Sequence, residues 1–208
     1  MQVLAVLTGK LSPTPAKAGM TGYFKTPVAE ARVTTLGLAG DQIGDTDNHG
    51  GVDQAVYIFT EPDRVWWADF LTRDVGPGYF GENLLVSDLT SADLCIGDRL
   101  AIGEVLLEIT SPRIPCTTFA AHVGDPQAIK WFYQAQRPGA YARVLAEGVI
   151  RPGDPIVFTP YVGDRITMIE DTAAYLSHHK DTADLLRRLD IPAHHKAKAL
   201  ARARLAQG

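Results

Sequence analysis

The sequence predicts a mainly β body, closed as a barrel over residues 1–164, followed by a small domain of three short helices over residues 165–208. Three observations carry that expectation. Short β-prone runs recur between Gly- and Pro-marked turns as far as Phe158, helical periods are few in that stretch, and the periodicity changes after Gly163. Closure follows because an open sheet of so many strands leaves unpaired edges that a barrel removes.

The apolar run at 2–8 starts the sheet. Residues 10–26, with Pro13, Pro15, Gly19 and Gly22, read as a loop with a hairpin near Met20–Phe24. Strands at 29–36 and 55–59 flank a polar, Gly-rich stretch. Thr60 can cap a helix with Pro62 in its first turn and Val65, Trp66 and Phe70 on one apolar face, Trp67 flanking it. From Leu84 to Phe158 short strands dominate, among them 94–100, 102–106, 143–145 and 156–158; they are interrupted by a helix at 127–136 that Asp125 caps and Pro126 starts. Helices at 166–177, 182–189 and 193–206 complete the chain, with Asp181 and Asp184 as a capping pair and Leu185, Leu186 and Leu189 facing inward.

With 46% hydrophobic residues among 208, the chain can bury a substantial core. Only two cysteines, no signal-type start and no membrane-length apolar segment fit a cytoplasmic protein without a structural disulfide. Net charge is -7 over residues 1–164 and +3 over 165–208, so the main body lacks an electrostatic footprint for nucleic acid, and the basic tail reads as a solvated helical face or a site for an acidic partner.

Cys116 follows Pro112 and Pro115, which stiffen the backbone in front of it, and Arg113 is close enough to favour a thiolate. Such a sulfur can act as a nucleophile, carry sulfane sulfur or ligate a soft metal, against the plain alternative of a small buried hydrophobe. Cys95, between Leu94 and Ile96, reads as packing. In the Gly-rich stretch Asp41, Asn48 and His49 offer hydrogen-bonding groups to a polar ligand, or stabilise turns instead. Its glycine spacing is not that of a nucleotide-binding fingerprint. Glu82 and Asn83 can orient polar ring atoms or brace the His49 loop. Tyr141 and Arg143 share a strand face, where Arg143 can clamp a phosphate or form a surface ion pair.

Taken in order, Gly-Leu-Ala-Gly-Asp at 37–41, His49-Gly50-Gly51 with Gln54-Ala55-Val56, Phe-Gly-Glu-Asn-Leu at 80–84, Ile-Gly-Asp at 96–98 and Pro112-Arg113 with Pro115-Cys116 closely resemble MOSC-domain proteins. The helical end resembles the three-helix domain of one bacterial branch, whose members are similar to reductases of hydroxylaminopurines and related N-hydroxylated bases. The resemblance implies a barrel like the β-barrel of pyruvate kinase and a molybdenum–pterin cofactor (molybdopterin). Cys116 would ligate the molybdenum and, with His49 and Asp41, form the catalytic set. Arg113, Asn83, Glu82, Arg143, Tyr141, His49 and Asn48 would hold the pterin or position substrate.

The implied reaction is two-electron reduction of an N–OH group with loss of water. The chain carries no flavin or iron–sulfur signature, so electrons would come from a separate flavin or iron–sulfur reductase. A homodimer is compatible with the sequence; nucleic acid and membrane are not expected partners. Two departures stand out: the N-terminal β-rich domain of many amidoxime-reducing relatives has no counterpart, and Gln42-Ile43-Gly44 lies where relatives are more basic or polar. Two other functions remain open, a sulfur carrier forming a persulfide on Cys116 and a non-catalytic module that shields the pterin.

Overall fold

A computed structural model describes residues 1–16, 19–177 and 181–206 of the chain. The strands are β1 (Val3–Gly9), β2 (Ser12–Pro13), β3 (Met20–Thr21), β4 (Lys25–Val28), β5 (Ala31–Thr34), β6 (Gly37–Leu38), β7 (Val56–Thr60), β8 (Leu84–Val86), β9 (Arg99–Ile102), β10 (Val105–Pro112), β11 (Ala140–Ala146), β12 (Gly148–Ile150) and β13 (Ile156–Thr159). The helices are α1 (Glu61–Leu71), α2 (Thr117–Val123), α3 (Ala128–Ala135), α4 (Met168–Leu176), α5 (Thr182–Asp190) and α6 (His195–Leu205), with a 3₁₀ turn at Val52–Gln54. None of these helices is long and apolar enough to cross a membrane.

The expected mainly β barrel is corrected on two counts. Helix and strand residues are roughly equal in number, so the fold is mixed α/β. The main sheet is open: its eight strands run β13-β9-β10-β11-β7-β8-β1-β4, and no ladder joins β4 to β13 among the described residues. Strand propensity says that a run can pair but not with which partner. Here the sheet is covered on its faces instead of closing on itself.

The covering explains the burial pattern. In β7 every residue is buried, because Val56 and Ile58 enter a core shared with β5, β9, β10 and the start of α4, while Tyr57 and Phe59 enter an aromatic core under α1, α2 and α3. A strand buried on both faces reads as a continuous apolar run instead of an alternation. The β7–β8 pair is parallel, with α1 in the connection between them, whereas the other ladders are antiparallel.

Several local expectations change in detail. Part of the supposed loop 10–26 forms β2 and β3, which pair, and the start of edge strand β4, where Pro27 is tolerated because edge positions need not donate; residues 17 and 18 of that loop lie outside the described residues. Thr60 does cap α1, accepting from the Asp63 amide at 3.4 Å. The inward face of α1 is nevertheless Asp63 and Trp67; Val65 and Phe70 are exposed. Asp63 is held there by Arg137 at 2.6 Å and by the Ser91 amide at 2.9 Å, and Trp67 packs among Phe80, Phe119 and Phe132. In α5, Leu185 is buried, Leu186 points outward and Arg188 takes the second buried position, bonded to Asp171 and to Asp184. Helix α2 was not expected; it begins directly after Cys116.

Candidate functional site

The Gly-rich stretch and the β10–α2 junction form the two sides of one cleft. Gly22 lies backbone to backbone against Gln42, where any side chain would collide with the Gln42 carbonyl, so the 40–44 segment closes down on the β3–β4 connection. Asp41 anchors that segment: its Oδ1 accepts the Gly9 amide at 2.7 Å, and its Oδ2 accepts the Asn83 side-chain amide at 2.8 Å and pairs with Lys25. Asn83 in turn accepts the Tyr57 amide at 3.1 Å. Two sequence motifs far apart in the chain are thus one bracing network.

Glu82 is fully buried and accepts the Gly78 amide at 2.5 Å and the Phe80 amide at 3.0 Å. It shapes its own loop and does not line the cleft. Burial pushes its carboxyl up, against the amides and Arg113. Arg113 is buried too: it donates to the Phe80 carbonyl, and its guanidinium stands 4.9 Å from the Tyr57 ring and 5.2 Å from the Tyr23 ring.

Cys116 stands half-buried at the waist of the cleft, free and not joined to buried Cys95. Burial works against its thiolate, but a hydrogen bond from His49, the Arg113 charge and the Phe119 amide outweigh it and hold the thiol at about 6. Cys95 behaves in the opposite way, its thiol pushed up by burial.

Two cavities meet at the sulfur. The inner one, about 420 Å³, is bounded by Tyr23, Lys25, Asp41, Asn83 and Arg113; the outer one, about 620 Å³, lies between Cys116 and helices α4 to α6. Asn48, His49, Gln54, Cys116 and Tyr141 line both. The inner lobe thus carries Lys25 and Arg113 beside the carboxylates of Asp41 and Asp45. Of the residues singled out from sequence, Cys116, His49, Asn48, Asp41, Asn83, Arg113 and Tyr141 come together here, and Glu82 and Arg143 stand behind the walls.

Arg143 is occupied elsewhere. It pairs with Asp53 at 2.9 Å and with Glu108 at 3.5 Å and donates to the Ala193 carbonyl at 3.1 Å, one part of the attachment of the helical end to the sheet. Asp53, His194 and His195 offer ligand atoms within 4.8 Å of one another. Several of these atoms are already hydrogen-bonded: Asp53 Oδ1 faces Arg143, its Oδ2 receives both the amide and Nδ1 of His195 at 2.7 Å, and His194 Nδ1 accepts the Lys196 amide at 3.0 Å. The group reads as a hydrogen-bonded clasp between α6 and the 3₁₀ turn.

Sequence reasoning missed Lys25, Gln54, Ser111 and His194. Lys25 lay in a segment read as loop, and burial lowers its ammonium pKa in spite of Asp41. Gln54 stood within a motif already quoted, but its side chain carried no distinguishing signal. Ser111 and His194 gain their place only through packing.

The fold and site define a mixed α/β protein in which an open sheet presents a braced polar loop and a cysteine of lowered pKa to one cleft. The MOSC domain family matches residues 45–157, which include His49, Asn83, Arg113 and Cys116, and the chain belongs to that family. It is 36% identical over 134 residues to the uncharacterized protein YflK of Bacillus subtilis (64% of this chain, 61% of that one). It is 35% identical over 130 residues to a Gibberella moniliformis protein named Reductase (59% of this chain, 22% of that one). The crystal structure of YiiM from Geobacillus stearothermophilus superposes with a TM-score of 0.81 at 28% identity, covering 98% of both chains. The chain therefore spans less than two thirds of the length of YflK and less than a quarter of the fungal protein.

Proposed function

We propose that the protein is a molybdenum–pterin-dependent reductase of N-hydroxylated compounds, with Cys116 as the protein ligand to the metal. The observation that carries this reading is the position of Cys116, a thiol held at about 6 where an inner lobe that includes Lys25 and Arg113 meets an outer cavity. The residues fit the group. A thiolate is a soft ligand suited to such a metal, Lys25 and Arg113 match an anionic pterin phosphate, and Gln54 Oε1, buried without a partner among the described residues, remains for a polar ring atom. The inner lobe is within the size range of ligand pockets.

When bound, the cofactor supplies the two-electron redox change that side chains cannot. The chain's own residues do the rest. Arg113 and His49 keep the sulfur ionised, Lys25 and Arg113 hold negative charge in the inner lobe, and Asp41 and Asn83 fix the loop that carries His49. Each turnover converts N–OH to N–H and water with two electrons and two protons, the electrons arriving from a separate flavin or iron–sulfur reductase. The oxidoreductase class is supported by family membership and by the name of the similar fungal protein.

The test is expression in cofactor-competent cells, with molybdenum and pterin analysis and an N-hydroxyl reductase assay on wild type, Cys116→Ser and Lys25→Met. The expected result is molybdenum and activity in the wild type, no activity and lost metal in Cys116→Ser, and reduced pterin retention in Lys25→Met. Retained molybdenum and activity in Cys116→Ser overturn the ligand role. A Cys116-dependent persulfide in metal-free, inactive wild type would point to sulfur transfer instead.

A further inference from the structure

Helix α6 carries positive charge that the fold does not use. It holds Lys196, Lys198, Arg202 and Arg204 and no carboxylate: four of the eight Lys and Arg residues after residue 164, and none of the five Asp and Glu. The arginines of α5 and of the segment before α4 are paired, Arg165 with Asp98 at 3.1 Å, Arg187 with Asp164 at 2.6 Å and Arg188 with Asp171 and Asp184. The side chains of Lys198 and Arg202 have no ion-pair or hydrogen-bond partner among the described residues. Helix stability does not account for them either. The dipole favours Arg202 and Arg204 in the last turn but works against Lys196 in the first, and like charges four residues apart, as at Lys198 and Arg202, oppose a helix.

The helix has two sides. Lys196, Ala197, Leu200, Ala201 and Arg204 line the outer cavity. His195, Lys198 and Arg202, spaced three and four residues apart, share the opposite side. The His195 side chain is 60% exposed although it pairs with Asp53, and Arg202 is exposed as well. A helix with its side chains is about 10 Å across, so this basic stripe stands one helix thickness from the cavity that opens at Cys116. Residues 1–164 carry a net charge of -7. An acidic protein is therefore repelled by most of the molecule and drawn to α6.

We propose that the outer face of α6, centred on Lys198 and Arg202, is the docking surface for an acidic, flavin-carrying electron-transfer protein. This deepens the reductase reading and rests on it for the destination of the electrons. A flavin donor matches a turnover of two electrons. The partner's flavin hydroquinone is oxidised to the quinone, giving up two electrons and two protons, and the N–OH group becomes N–H and water. Docking on α6 sets the donor one helix thickness from the cleft.

The probe is flavodoxin, a small acidic flavin protein, titrated by calorimetry into the purified chain. Flavodoxin should bind the wild type at low salt and be released at about 1 M salt, where the screening length falls to about 3 Å. Lys198→Glu with Arg202→Glu should weaken binding about tenfold. Lys10→Glu with Arg32→Glu makes the same change in net charge at exposed positions outside α6 and should leave binding close to that of the wild type. No binding, equal losses in the two double variants, or tighter binding of a short DNA duplex overturns the docking surface. So does a fall in the Tm of the α6 variant large enough to account for the lost binding.

Turnover separates the docking surface from the activity beneath it. With dithionite as the electron source, the α6 variant should reduce N-hydroxyl compounds as fast as the wild type, and only flavodoxin-driven turnover should fall. A wild type inactive with dithionite sinks the reductase reading and leaves the binding result standing. Activity with dithionite together with an unaltered flavodoxin-driven rate in the α6 variant sinks the docking surface alone.

Discussion

His49, in the polar loop before β7, and Cys116, the residue that precedes α2, line the same cleft, and the imidazole beside the sulfur lowers the pKa of the thiol. That contact and the Arg113 charge more than offset the burial of the thiol. Alkylation by iodoacetamide, followed by mass spectrometry, should therefore rise with pH through a midpoint of about 6 at Cys116 and stay low at Cys95. His49→Ala should move the midpoint upward. A wild-type midpoint near the ordinary thiol value of about 8.5 contradicts the geometry.

Trp67, not Phe70, is the anchor of α1. Trp67 is 1% exposed among three phenylalanines, whereas Phe70 is 46% exposed. Trp67→Ala should cost roughly 3–5 kcal/mol in urea unfolding, and Phe70→Ala well under half of that. Equal costs would restore the helical face expected from the periodicity.

Arg137 neutralises a carboxylate that has no route to water. Asp63 is fully buried and meets Arg137 at 2.6 Å. Arg137→Met should destabilise the fold by roughly 3–5 kcal/mol, because it leaves a buried charge. Adding Asp63→Asn should recover a large part of that loss; a double variant as unstable as the sum of both single changes counts against the pair.

His194 makes stability depend on acid. Its folded value of about 4 lies below the ordinary 6.5, so its contribution is complete above 6.5 and is lost as pH falls through about 4. The loss amounts to roughly 3 kcal/mol. His194→Asn keeps an acceptor for the Lys196 amide but cannot titrate, so its unfolding free energy should fall less steeply between pH 6.5 and 4 than that of the wild type. Identical slopes would mean that His194 is not held neutral.

Much of the cleft was legible in the chain because its parts are local. Two prolines before a cysteine and an adjacent arginine mark Cys116 without knowledge of the fold. Asp41, Asn48, His49 and Asn83 stand in short Gly-marked segments, where a polar side chain has few roles besides bracing and binding. Glu82 and Arg143 carried the same signals and yet face away from the cleft, because whether a charged side chain meets a ligand or a partner depends on what the next strand places opposite it. For Arg143 that was Asp53, from the 3₁₀ turn.

Composition, motif order and helix caps are properties of neighbouring residues, and they sufficed for the family resemblance, for singling out Cys116 and for the three C-terminal helices. Sheet closure, the buried face of α1 and the outer lobe depend on which distant segments meet, and local propensity carries no information about partners. Hence the barrel gave way to an open mixed sheet, and Lys25, Gln54, Ser111 and His194 became visible only when packing brought them to the sides of one sulfur.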